Sequence, residues 1–372
     1  MKIFFIDPNN TTPRLNYPLI ESLLNYGLDI TFFTSWNQKT EYYDQYYEIK
    51  PEYCFFKISN KIKNSIIRRI IKFISYPLIL NKITKKALLE KPQLVHINWL
   101  AFPRAERKFI KRLQKNNIKV ILTQHNYFQH NSKKLKFGEI DVFNAVDRII
   151  CLSNFVASQF STELQNKTIC IEHGNCFTKE LKDVTMNSSN HNTVIVGVFI
   201  GGISHYKGLD LLIAAVAHLK SNNQLPKLNI KIIGKGKKSY ANYLKNMINK
   251  SGLNTEILFE NRFVSYDELL KVVANSDFGI MTYRNATQSG IPYIFASLYK
   301  PILLTEVGGL PEQTNSTFSL LVKPNSEDIA KGLLQLSETY KHYSKKDFEE
   351  FNNNNQWSST IKKYIQNYSE MV

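Results

Sequence analysis

Residues 196–219 read VGVFIGGISHYKGLDLLIAAVAHL, and residues 276–312 read SDFGIMTYRNATQSGIPYIFASLYKPILLTEVGGLPE. In the first stretch an apolar strand runs into a turn holding Gly201, Gly202, Lys207 and Gly208, and an apolar-periodic helix follows. In the second, a strand leads into Thr287-Gln288-Ser289-Gly290, then a helix, then a buried strand that exits into Gly308-Gly309. Two strand-to-helix turns rich in small residues can gather backbone N–H groups around a diphosphate, and one of them adds a lysine. The spacing is not that of a P-loop, because Gly202 to Gly208 lacks the Gly-Lys-Ser/Thr ending. No Gly-x-Gly-x-x-Gly follows a strand.

Working outward, strands alternate with helices, the pattern of parallel sheets covered on both faces. Strands are expected at Lys2–Ile6, Asp29–Phe33, Leu94–Trp99, Lys119–Thr123, Arg148–Leu152 and Thr168–Glu172. A second set follows at Thr193–Phe199, Leu228–Ile233, Glu256–Phe259, Phe278–Met281 and Ile302–Thr305. Residues 178–193 are polar and without strand pattern, which suits a linker. At 372 residues the chain exceeds one core, so two domains are expected. They span 1–177 and 194–345, with a tail at 346–372.

In order along the chain, FIGGISHYKGLDLL (199–212), KLNIKIIGKG (227–236), FVSYDELLKVVANSDFGIM (263–281) and the stretch 286–312 resemble the nucleotide-sugar domain of retaining GT-B glycosyltransferases. The similarity is to the large bacterial family that builds O-antigen and capsule. KVILTQHN (119–126), VDRIICLSNFVASQF (146–160) and ICIEHGNCF (169–177) resemble its first half. The resemblance implies two Rossmann-like, doubly wound α/β domains facing across a cleft, with the last helix crossing back to the first. It also implies a nucleoside-diphosphate sugar as donor and a lipid-linked saccharide as acceptor.

Lys207, at the mouth of its turn, suits a cation that neutralises a diphosphate leaving group. Family members carry an arginine five residues earlier. Here that position is Gly202, so Arg284 or backbone groups are expected to compensate. Ser289, Gly290 and Ile291 open a helix whose N–H groups would face the diphosphate, and the Thr287 and Ser289 hydroxyls either donate to it or cap the helix. Phe263 and Val264 stand where the family holds the base, with a core role as the other reading. His125 ends a first-domain strand and by resemblance touches the donor sugar, whereas His96 and His173 are weaker candidates. Asn9, Asn10 and Thr11 would line the acceptor side, in a loop where relatives often carry glycines. Many relatives also have two glutamates eight positions apart, the second on the ribose. Counted back from Pro301, these positions hold Ala286 and Ile294.

The net charge is +17, and residues 1–180 hold 27 Lys+Arg against 15 Asp+Glu. The excess peaks over 57–86, where no acid occurs. A helical wheel puts Ile62, Ile66, Ile67, Ile70, Ile71, Phe73 and Ile74 on one half, with Lys61, Arg68, Arg69 and Lys72 on the other and Lys63 the exception. Such a helix suits an anionic membrane surface; a packed helix with a solvated basic face is the other reading. Nucleic acid is disfavoured, because no basic-aromatic recognition motif accompanies the charge. The apolar run at the N-terminus is too short for a signal peptide. No stretch approaches the roughly 20 apolar residues of a spanning helix. The four scattered cysteines, without Cys-x-x-Cys spacing, fit a reducing compartment. The expected location is the cytoplasm, peripheral to the inner face of the plasma membrane.

No Asp-x-Asp occurs, and no His/Asp/Glu cluster has ligand spacing, so metal-independent transfer is expected without any cofactor. Two other readings stay open: a sugar-nucleotide epimerase of the same fold, and a non-catalytic membrane-associated assembly partner.

Overall fold

The computed structural model describes residues 1–36, 43, 44, 46–128, 134–175 and 194–372. The expected linker, 178–193, lies outside the described residues. The chain divides into two compact units: Met1–Cys176 with Asn355–Val372, and Phe177–Asn354.

The first unit is built on a seven-stranded sheet ordered β3-β2-β1-β4-β5-β6-β7. Its strands are β1 (Lys2–Asp7), β2 (Asp29–Thr34), β3 (Glu52–Tyr53), β4 (Leu94–Ile97), β5 (Lys119–Gln124), β6 (Arg148–Cys151) and β7 (Thr168–Cys170). All the pairings are parallel. Parallel strands covered by helices are apolar on both faces, and Ile3, Phe4, Phe5 and Ile6 are accordingly all buried. Strand order reverses between β1 and β4. In open α/β sheets the crevice outside the carboxyl ends of two such strands is where ligands bind.

The second unit has six parallel strands ordered β10-β9-β8-β11-β12-β13. They are β8 (Ile195–Ile200), β9 (Leu228–Gly234), β10 (Ile257–Asn261), β11 (Phe278–Met281), β12 (Ile302–Thr305) and β13 (Ser319–Val322). Here the order reverses between β8 and β11. The two strands absent from the sequence reading, β3 and β13, both lie at sheet edges. The first is two residues long and the second is partly exposed, so neither has a full apolar pattern.

The tail does not pass whole to the first unit. The helix Lys346–Asn354 stays with the second, because Phe348 and Phe351 pack on Phe318 and Phe351 also meets Tyr293. Only from Asn355 does the chain rejoin the first unit. There the helix Trp357–Ser369 buries Trp357, Ile361, Tyr364 and Tyr368. Its fastening is polar as well as apolar. The two ring nitrogens of buried His96 bond Tyr368 Oη and Thr123 Oγ1, each at 2.7 Å. Both nitrogens being used, His96 is a fastener of this helix rather than a ligand group. His173 is buried too, with Nδ1 3.0 Å from the Gly174 carbonyl.

The basic helix runs Ser65–Glu90 and starts later than the wheel placed it. Asn64 Oδ1 accepts the Ile66 and Ile67 N–H groups and fixes that start. Lys61 therefore sits in a separate turn, Ser59–Lys61, off the helix. No helix among the described residues is long and apolar enough to cross a membrane.

Candidate active site

In the second unit the site grows from the turn after β8. Ile200 ends the strand, and the chain crosses to His205–Lys207 and then Gly208, which opens the helix Leu209–Ser221. Gly208 has φ +65°, and a Cβ there would stand 1.9 Å from the Thr282 carbonyl oxygen, so only glycine lets this turn close on the end of β11. Thr282 completes the closure, its hydroxyl donating to the Gly208 carbonyl at 3.1 Å.

The closed turn aims Lys207 at the reversal point between β8 and β11. Its Nζ lies 3.5 Å from the Tyr283 ring centroid and 4.9 Å from that of Tyr206. Ring faces attract an ammonium but do not neutralise it. No carboxylate reaches this ammonium among the described residues, and loss of water lowers its pKa to about 7. The result is a lysine amine without a carboxylate counter-charge, only part of it protonated near neutral pH.

Arg284 does not fill the place of the absent arginine. Its guanidinium is spent on Asp210, with bonds of 2.6 and 2.7 Å, and on the His205 carbonyl at 3.1 Å. It braces the lysine turn from outside, and that pair holds the Asp210 carboxyl below its usual range against the opposing effect of burial.

The turn before Ile291–Ser297 is also more occupied than expected. The Ser289 N–H donates to Gln313 Oε1 at 2.6 Å, and the Ile291 N–H to Ser289 Oγ at 3.3 Å. The Ser289 hydroxyl thus closes its own turn, and two of the three expected anion donors are engaged. Gly290 has open space where a side chain would be. Gly202 is exposed, a Cβ there meeting the Lys235 carbonyl oxygen at 4.0 Å, and Gly201 takes φ +140° with nothing near a would-be Cβ. Thr287 is buried. Ala286 and Ile294 are buried in the core, so neither offers a ribose a hydrogen bond. Past β10, Phe263 is 67% exposed, which removes the core reading for its side chain, while Val264 is half-buried.

In the first unit the site forms where strand order reverses. Asp7 ends β1 fully buried, and its carboxylate accepts from the Thr11 N–H at 3.1 Å, the Asn9 N–H at 3.3 Å and Asn16 Nδ2 at 2.7 Å. Those bonds shape the loop of Asn9, Asn10 and Thr11. Burial nevertheless outweighs them and raises the Asp7 pKa to about 6. Asn10 is buried at φ +46° and its Nδ2 meets no partner. Lys72, expected at a lipid surface, turns inward instead. It lies 4.2 Å over the Phe56 ring, and its Nζ donates to Asn9 Oδ1 at 3.1 Å. Arg68 is half-buried and reaches the Ile62 carbonyl, whereas Arg69 is exposed.

His125, just past β5, is buried. Its Nε2 lies 3.1 Å from the Asn98 carbonyl, which can only accept, so Nε2 carries the proton. Burial lowers its pKa to about 3, so the ring is neutral and Nδ1 is a bare acceptor. No partner meets that Nδ1. The sequence reading missed Trp99, which stacks flat on His125 with centroids 4.0 Å apart. Trp99 follows a strand expected to contain it, and that was the only available signal. No three His, Cys, Asp or Glu side chains gather among the described residues in a way that could hold a metal ion.

Residues 14–174 match the family model of Glycosyltransferase Family 4, and residues 182–355 match that of Glycosyl transferases group 1. A glycosyltransferase of Methanocaldococcus jannaschii, named as uncharacterized, is 26% identical over 328 residues, covering 84% of this chain and 87% of the relative. Among solved structures, a glycosyltransferase from Rickettsia africae superposes with a TM-score of 0.74 at 17% identity, covering 100% of this chain and 98% of its own. Anabaena HepE in complex with UDP gives 0.72 at 15% identity, with both chains covered in full. At such identities the structures speak for the fold. The two family models lie end to end along the two parallel-sheet units, and the chain shares the fold of the GT-B glycosyltransferases.

Proposed function

We propose that the protein transfers a hexose from a nucleoside-diphosphate sugar to a lipid-linked saccharide, with retention at the transferred carbon and without a metal, in the assembly of a surface polysaccharide such as O-antigen or capsule. The observation that carries this reading is the Lys207 ammonium, held on aromatic faces where strand order reverses and without a carboxylate partner. As the C1–O bond of the donor breaks, negative charge grows on the departing diphosphate, and a preset cation in a poorly hydrated place stabilises it. The acceptor oxygen bonds to the same face of C1 and its proton passes to a phosphate oxygen, so no protein nucleophile is required. His125 Nδ1 takes a hydrogen bond from a sugar hydroxyl, and exposed Phe263 offers a ring to the base. An epimerase would need a free acid or base beside the sugar, and the carboxylate at the lysine turn, Asp210, is committed to Arg284.

The same reading places the first unit on the inner face of an anionic membrane. Along Ser65–Glu90 the side chains of Ile66, Ile67, Ile70, Phe73, Ile74 and Leu78 are exposed, Phe73 also meeting the Phe102 ring edge-on at 5.7 Å, with Arg69 beside them. An apolar row facing water next to cations fits the boundary of an acidic bilayer.

A thermal-shift panel of uridine, guanosine and thymidine diphosphate sugars tests the donor class, followed by transfer to lipid-extracted saccharides. A true donor at 100 times its dissociation constant stabilises by about 2.7 kcal/mol. Silence across the whole panel would sink the proposal.

A further inference from the structure

Trp99 stands at the meeting point of three parts of the first unit. It lies two residues beyond β4, beside the reversal of strand order. Its indole covers the His125 imidazole, with 4.0 Å between centroids and 9° between planes. Its Nε1–H donates to Thr12 Oγ1 at 3.1 Å, in the loop whose other residues are Asn9, Asn10 and Thr11. The carbonyl of the preceding residue, Asn98, accepts a hydrogen bond from the His125 Nε2–H. Asn98 in turn donates to Asn16 Oδ1 at 2.7 Å, and Asn16 donates to Asp7. One carbonyl alone would fix which nitrogen is protonated but would leave the ring free to swing about that bond. A flat aromatic face removes that swing. Bond and stack together leave Nδ1 one direction in which to accept.

We propose that Trp99 is a positioning residue for sugar transfer, holding the His125 ring in its plane and tying it through Thr12 to the acceptor loop. The inference rests on His125 as a sugar contact. It adds a coupling: a saccharide that shifts the Thr12 loop also shifts the indole, and so re-aims Nδ1. The stack also keeps water from the imidazole, in line with its depressed pKa.

The test follows His125 by NMR in the full-length protein labelled with nitrogen-15 at histidine, the signal being assigned with His125→Gln. In the wild type, His125 shows the Nε2-protonated tautomer and does not titrate above pH 5. Trp99→Phe keeps a ring face and preserves both properties. Trp99→Leu frees the ring, mixes the tautomers and moves the pKa toward about 6.5, the ordinary value. Loss of helix and sheet content would mark a structural collapse instead, and Trp99→Met is then read in the same way. A His125 that keeps its tautomer and stays uncharged at pH 5.5 in folded Trp99→Leu overturns the proposal. The two readings fail separately. If His125→Gln retains full transfer, the sugar contact is lost while the ring-holding role of Trp99 stands on the spectra.

Discussion

The Lys207 ammonium lies 3.5 Å from the centroid of the Tyr283 ring, an attraction that orients the charge without cancelling it. Two consequences can be measured. Lys207→Met should remove about 2–4 kcal/mol of transition-state stabilisation, read as kcat/KM, with secondary structure unchanged. The second concerns protons. The lysine pKa is depressed to about 7 in the free enzyme, and a bound diphosphate returns it toward its ordinary value. Calorimetry with UDP at pH 8, in buffers of different ionisation heat, should therefore show proton uptake that vanishes at pH 6 and in Lys207→Met. Uptake that survives in the variant would refute the assignment. The same shift makes the ligand-free protein gain stability as pH climbs from 7 toward 10.5, since over that range the unfolded chain holds the proton more tightly.

Asp7 gives a pH effect of opposite sense. Its pKa is raised from 3.8 to about 6 by burial, so its contribution to stability is complete below about pH 4 and is lost as pH rises through 6. A shift of about two units corresponds to about 3 kcal/mol. Urea midpoints of wild type and Asp7→Asn, compared between pH 4 and pH 7.5, should show the wild type losing ground to the variant as pH rises. Parallel curves would mean that the carboxyl is not perturbed.

The row of exposed isoleucines predicts a separation of binding from stability. Replacing Ile70, Phe73 and Ile74 with Asn should abolish sedimentation with phosphatidylglycerol vesicles. Because these side chains face water, the thermal midpoint should hardly move, and each surface change should stay within about 0.5 kcal/mol. Arg69→Glu should weaken binding mainly at low salt. Lys72→Met, in contrast, should spare vesicle binding, because that ammonium is turned to Asn9.

Ala286 and Ile294 are core residues in the positions expected to hold the acid pair. A carboxylate–hydroxyl bond contributes about 1.5–3 kcal/mol, and its absence predicts that a 2′-deoxy donor binds nearly as well as its ribo form. Binding more than tenfold weaker for the deoxy form would show that another group grips the ribose.

The parallel sheets were legible because buried strands such as 3–6 and 302–304 are continuous apolar runs. The lysine turn was legible for a related reason: glycine at 208 marks a close approach of chains. The partners of charged groups were not. Nothing local in the sequence says that Arg284 closes on Asp210, 74 residues away, or that Lys72 turns to Asn9, 63 residues away. Such pairings are decided by which helix lies over which strand end. Trp99 escaped notice because a single aromatic after a strand looks like any core residue until its neighbour across the sheet is known.

The return of the chain to its first unit sets an order of events in time. Residues 1–175 are synthesised well before Trp357–Ser369, yet His96 and Thr123 wait for Tyr368 to complete their hydrogen bonds. Domains generally fold as they emerge, the earlier one first. Here the earlier unit is left with an open groove along Tyr364 and Tyr368 until the whole second unit has been made. The nascent first half is thus a half-finished body that relies on its own distant tail, and chaperone capture or premature aggregation would concentrate at that groove. Emergence of Trp357–Ser369, rather than of the first 175 residues, marks the moment at which the first unit can close.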